Sequence, residues 1–196
     1  MNLKLLLPAS VFASLIVGLV IGATFFGNEQ TTETKIIPQL QTETIQKITE
    51  YRTVDCTARG HNVDLHGCDL RAMMLNGMDM SGADMSFVDL RDASLQGADL
   101  QNVNLVDADL RHASFTNANL QGANLSIADL RGTDLSGSDL TGADLSFVHS
   151  HRTTFKNAQL MDVNLVQSDL YEADFGSANL NNARLYGADL YRYDLV

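Results

Sequence analysis

Three consecutive side chains, His149, Ser150 and His151, offer a hydroxyl between two bases. A nucleophilic serine, however, also needs an acid to orient its base and a donor for the developing oxyanion. Neither can be placed near 149–151, and in an extended chain the two histidines point away from an inward Ser150. A second set, Cys56, His61, His66 and Cys68, consists of residue types that bind zinc, but its spacing matches no well-known site. The expectation is therefore a protein that is not an enzyme and uses no metal and no cofactor.

What must position these residues is a repeat. From Val63 onward the chain keeps a five-residue period without an insertion. Large apolar centres fall at Leu65, Leu70, Leu75, Met80, Met85, Leu90 and so on to Leu195; of these 27, only Ser150 is not Leu, Met or Phe. Two residues before each centre stands a small or modest residue, most often Ala, with Met73, Met78 and Tyr193 as bulky exceptions near the ends. Asp or Asn usually fills the position between. In an extended segment residues two apart face the same way, so the small residue and the centre point inward together and the Asp or Asn outward. A helix cannot hold this pattern, because 3.6 residues per turn would spread a period of five around its whole circumference. Gly, Asn or Asp fills 16 of the 26 positions two after a centre, and these supply a bend after each short side. The substitution at Ser150 predicts a local bulge or a softened coil.

The arginines set the number of sides. Arg71, Arg91, Arg111 and Arg131 each follow a centre and are spaced by 20, and His151, Tyr171 and Tyr191 continue the series. Four sides per coil stack them at the spacing of neighbouring strands, about 4.8 Å. The 27 units then make six to seven coils, a rod of roughly 32 Å.

GADLQ, NANLQ, GANLS, IADLR and GTDLSGSDLTGADLS resemble the A(D/N)LXX pattern of the pentapeptide-repeat family. The resemblance implies an all-β fold, a right-handed quadrilateral parallel β-helix with the small residue and the central Leu or Phe inward. It does not imply one function, since the family's fold serves very different roles. Some members resemble duplex DNA in size and acidity and bind type II topoisomerases, which is the alternative function for this chain.

Ahead of the repeat, residues 5–26 carry no charge and as a helix would span about 33 Å, enough for one transmembrane helix. The expected organisation is an anchor over 1–27, a polar linker or stalk over 28–55 and the β-helix over 56–196. A cleaved signal peptide is the alternative for the first segment. Lys4 before the span and Glu29 and Glu33 after it favour a cytoplasmic N-terminus and an extracytoplasmic repeat domain. Ser10, Ser14, Gly18 and Gly22 form a small-residue stripe that would let two such helices pair as a homodimer. Outside the cytoplasm a Cys56–Cys68 disulfide capping the first coil is preferred to zinc, with two free thiols as the other state.

The net charge of −11 argues against direct nucleic-acid binding, although much of it belongs to the repeat itself. Two surface features remain. Asp69, Asp89, Asp109 and Asp129 stand two residues before the four arginines on the same outer surface, predicting a charge ladder of Arg71, Arg91, Arg111 and Arg131 that is either self-paired or a strip for an anionic partner. Phe87, Val106, Ile127, Phe147, Val166 and Tyr186 follow centres separated by 20 and are apolar where the repeat does not require it. They are the best interface candidates. SFVDL at 86–90 and SFVHS at 146–150 further suggest an internal duplication of 60 residues. The expected function is that of a membrane-anchored, non-enzymatic interaction or scaffold module acting through the surface of a rigid rod.

Overall fold

The computed structural model describes residues 54–191. The chain divides into two units, Met1–Thr53 and Val54–Val196. The expected membrane span, its small-residue stripe and nearly all of the linker lie outside the described residues. Among the described residues no helix is long and apolar enough to cross a membrane. Val54, assigned by composition to the linker, instead belongs to the second unit and packs against its core.

Parallel bridges join residues 20 apart throughout, from Asp64 with Asp84 to Asp169 with Asp189. Each coil therefore has four sides of five residues. Side 1 carries the centres 65, 85 and onward to 185; side 2 those from 70 to 190; side 3 those from 75 to 175; side 4 those from 80 to 180. Backbone groups are satisfied between coils. Leu110 N donates to Asp129 O at 2.9 Å and Asp109 N to Val88 O at 2.9 Å, so one unit pairs with the coils on either side.

Each corner is a tight turn. Ala113 N donates back to Leu110 O at 3.0 Å, and His112 between them has φ 61°. A left-handed residue at the third position of such a turn is the geometry of type II. Every position two after a centre from Gly67 to Gly187 has positive φ, including Ala72, Phe87, Ile127, Phe147, Arg152, Gln167, Glu172 and Ser177. Glycine, asparagine and aspartate are thus the easy occupants of this position and not the only ones.

The column inside is made of the centres and the small residues before them. Leu90, Leu95, Leu100, Leu105 and Leu110 are fully buried, with Ala93, Ala98 and Ala108 beside them. Phe115 and Phe155 fill side 3, and the Phe155 and Phe175 rings stack at 4.9 Å. Each buried Leu contributes about 1.5–3 kcal/mol before conformational entropy is counted. Hydroxyls that enter the column find carbonyls: Thr133 Oγ1 donates to Leu110 O at 2.7 Å and Thr153 Oγ1 to Leu130 O at 2.6 Å.

Ser150 does not bulge. It is fully buried, His149 beside it bridges both Asp129 and Asp169, and Ser150 Oγ donates to Asp169 O at 3.0 Å. The hydroxyl meets a carbonyl of the next coil, so the smaller side chain is absorbed without a change of register. At the N-terminal end Val54, Cys56, Ala58 and Val63 pack partly buried on the column. A disulfide joins Cys56 to the inward Cys68, with Cα atoms 5.6 Å apart, and ties this cover to the first coil.

Candidate functional site

Side 2 brings the four arginines and their aspartates into one ladder. Arg91 Nε donates to Asp89 Oδ1 at 2.9 Å and Nη2 to Asp89 Oδ2 at 2.7 Å, a two-pronged pair within one unit. The same fork recurs at Arg71, Arg111 and Arg131. Each of the first three also leans on the next coil: Nε of Arg71, Arg91 and Arg111 lies 3.6, 3.4 and 3.6 Å from Asp89, Asp109 and Asp129. Carboxylates and guanidiniums alternate, so the like charges stacked along the rod are offset.

The ladder has an electrostatic signature. Hydrogen bonds from Arg71 hold the Asp69 carboxyl at about 2. Those from Arg91 lower Asp89, against partial burial. At Asp129 burial raises the pKa, but the bonds from Arg131 and the charges of Arg131 and Arg111 outweigh it and the net direction is down. All four guanidiniums are pushed up by the same hydrogen bonds.

Above Arg131 the pattern changes. His149 stands where the lower coils have Asp, and His151 where they have Arg. His151 Nε2 pairs with Asp169 Oδ2 of the next coil at 2.7 Å, and its ring lies 5.1 Å from Tyr171, which in turn stacks on Tyr191 at 6.1 Å. Side 2 is thus ionic in its first four coils and aromatic in its last. The two histidines face outward and Ser150 inward, so the three do not converge on a common point. The zinc-capable set is likewise dispersed, with both cysteines in the disulfide and His66 Nδ1 sharing a hydrogen bond with Ser86 Oγ at 2.9 Å.

The six apolar candidates separate into two columns. Phe87, Ile127 and Phe147 stand on the corner between sides 1 and 2, with 54%, 52% and 55% of their surface exposed. Val106 and Val166 sit one residue earlier, half-buried on side 1, and Tyr186 shares their column near its end, where it is exposed. The six thus lie along side 1 and the corner that follows it. The residue's offset from its centre, one or two, is the signal that distinguishes the columns.

Corner geometry makes the first column unusual. Phe87, Ile127 and Phe147 hold φ of 57°, 65° and 60°. For an L-residue this conformation costs roughly 1–2 kcal/mol, and for a β-branched one it is an outlier. Nearly half of each side chain is covered, and the Phe87 ring meets His66 edge-to-face at 5.2 Å, so the fold recovers only part of that cost. Bulky apolar side chains left half exposed in this conformation are the kind of feature that gathers at functional surfaces. Ile127, Phe147, Val148, His149, Gln167 and Asp169 line an open groove along this corner.

The profile for pentapeptide repeats matches residues 61–97, 93–132, 119–149 and 151–195, eight copies in all. The chain belongs to the pentapeptide-repeat family. The matches skip one residue inside the rod, Ser150, the single centre that departs from the pattern. As a pentapeptide-repeat protein the chain has the right-handed β-helix of the family. No curated protein matches the sequence. Among solved structures it is similar to full-length QnrB1, a plasmid-mediated fluoroquinolone resistance protein, at 16% identity over 69% of this chain and 91% of that one, with a TM-score of 0.44. A pentapeptide repeat protein of the Arabidopsis thaliana thylakoid lumen shares 31% identity over 52% of this chain and 67% of that one, TM-score 0.30. HetL from the cyanobacterium Nostoc, involved in heterocyst differentiation regulation, shares 20% over 78% and 95%, TM-score 0.25.

Proposed function

We propose that this pentapeptide-repeat protein is a non-enzymatic interaction module whose binding surface is the corner between sides 1 and 2. One observation carries the reading: Phe87, Ile127 and Phe147 are exposed in a backbone conformation that disfavours them. A rigid rod holds them in line, so a partner meets a preformed surface and little ordering free energy is lost on binding. Residues 5–26 would tether the rod to a membrane, with the repeat domain on the extracytoplasmic side, and pairing of that segment would give a homodimer. The Cys56–Cys68 disulfide fits such a compartment.

Mimicry of DNA to engage a type II topoisomerase is less well supported by the surface. Among the described residues the longest unbroken column of aspartates is Asp69 to Asp129, and the adjoining arginines neutralise it. The test is recovery of partners from membranes with the wild type and with Phe87→Ser/Phe147→Ser. Loss of specific partners with the fold intact supports the reading; an unchanged set removes the corner from consideration.

A further inference from the structure

The break in the ladder and the strained corner occur at the same place. Arg71, Arg91 and Arg111 each lie between two carboxylates, one in their own unit and one in the next coil. Among the described residues Arg131 pairs with Asp129 alone, because the next coil presents His149. Half of the Arg131 side-chain surface is exposed, as is 53% of Arg71 at the other end, against 36% and 33% for Arg91 and Arg111 inside the ladder. A polar hollow lined by Arg131, His149, His151 and Asp169 opens there. It adjoins the apolar groove of Ile127, Phe147 and Val148, and His149 and Asp169 are walls of both.

We propose that this double hollow receives an acidic side chain of a partner protein, an Asp or Glu next to a large apolar residue. Its carboxylate takes the place beside Arg131 that Asp89, Asp109 and Asp129 take beside the preceding arginines. The neighbouring apolar residue lies over Ile127 and Phe147. Arg131 is the positive end of an alternating row whose other end is Asp69, so an anion is the group the row lacks. Asp169, the one carboxylate in the hollow, is already engaged by His151 at 2.7 Å. Burial of the apolar residue supplies most of the affinity, and the exposed ion pair fixes register and sign. This inference rests on the corner being a protein-binding surface and adds the chemistry of what binds.

The experiment is an NMR titration of the full-length protein with acetyl-Phe-Glu-amide, acetyl-Phe-Gln-amide and acetyl-Phe-Lys-amide, following the imidazole signals of His149 and His151. The expected result is that the Glu peptide binds about fivefold more tightly than the other two and shifts His149. His149→Asp, which restores the residue type of the lower coils and so keeps the fold, should abolish that preference; Arg131→Gln should do the same. Equal binding of the three peptides, preference for Lys, or no binding at all would overturn the acidic partner. The corner reading is judged separately, since Phe147→Ser should weaken all three peptides alike and remove partners in the membrane recovery.

Discussion

Two corners of the rod share one backbone and differ in who occupies it. Between sides 4 and 1 the left-handed position holds Asn62, Gly82, Asn102, Gly122, Gly142, Asp162 and Asn182; between sides 1 and 2 it holds Gly67, Phe87, Asp107, Ile127, Phe147, Gln167 and Gly187. Gly142 and Ile127 have φ of 70° and 65°, so the chain bends alike at both. Glycine fits this conformation without a steric penalty, whereas isoleucine must be held there by the pairing of the coils around it. The difference teaches that the fold tolerates almost any residue at the bend, and that the choice of residue therefore reports on something other than folding.

The comparison is broken most sharply from inside. Leu120→Ala, in the buried column below the easy corner, should destabilise by about 2–5 kcal/mol in chemical denaturation. Phe147→Ser on the hard corner should destabilise little or not at all. Loss of the Cys56–Cys68 bond, by reductant or by Cys56→Ser, should lower stability by about 2–3 kcal/mol and show first as faster amide exchange near Leu65 and Leu70. Equal protection with and without reductant would mean the end cover holds without its staple.

Gly142→Ile transfers the cost from one corner to the other. A Cβ added there meets no atom within 4 Å, so the expected loss of about 1–2 kcal/mol comes from the backbone conformation. Ile127→Gly is its mirror image and should gain up to about 1 kcal/mol in thermal unfolding while weakening partner recovery. A loss of stability at Ile127→Gly would show that the side chain serves the fold. The smallest effects belong to the ladder: Arg111→Gln should cost at most about 1 kcal/mol.

Acid should also act on the ladder. Asp69 titrates at about 2 when folded and near 3.8 otherwise, and Asp89 and Asp129 are lowered too. The unfolded chain therefore binds more protons in this window, and stability falls as the pH drops from about 4 towards 2. A denaturation midpoint independent of pH over this range would remove the ladder's contribution.

Much of this rod is legible in the sequence because its rule is local and repeated. Alternation assigns inward and outward faces, and the spacing of Arg71, Arg91 and Arg111 gives the four-sided lap. Ser150 reads from the sequence as a bulge or a softened coil because its hydroxyl's partner is a carbonyl 19 residues away, which no local pattern reveals. The positive φ at Ala72, Phe87 and Ile127 is hidden for the same reason: coil-to-coil pairing overrides the preference of the single residue. At the proposed interaction surface the apolar residues stand out in the sequence, but Val106 and Val166 differ from Phe87 and Phe147 only by an offset of one. Arg131 ends the arginine series already in the sequence; that the other three also lean on a next-coil carboxylate emerges only from the contacts between coils.

A lap of 20 residues also defines which changes of length the rod can absorb. Removing 20 residues deletes one storey and leaves each later side chain above the flank it occupied before. Removing five keeps the greasy interior in phase yet turns everything downstream by a quarter of a revolution, carrying Phe147 off the line of Phe87. Such a shortened protein would fold as well as its parent and present its later ornaments to a different direction in space.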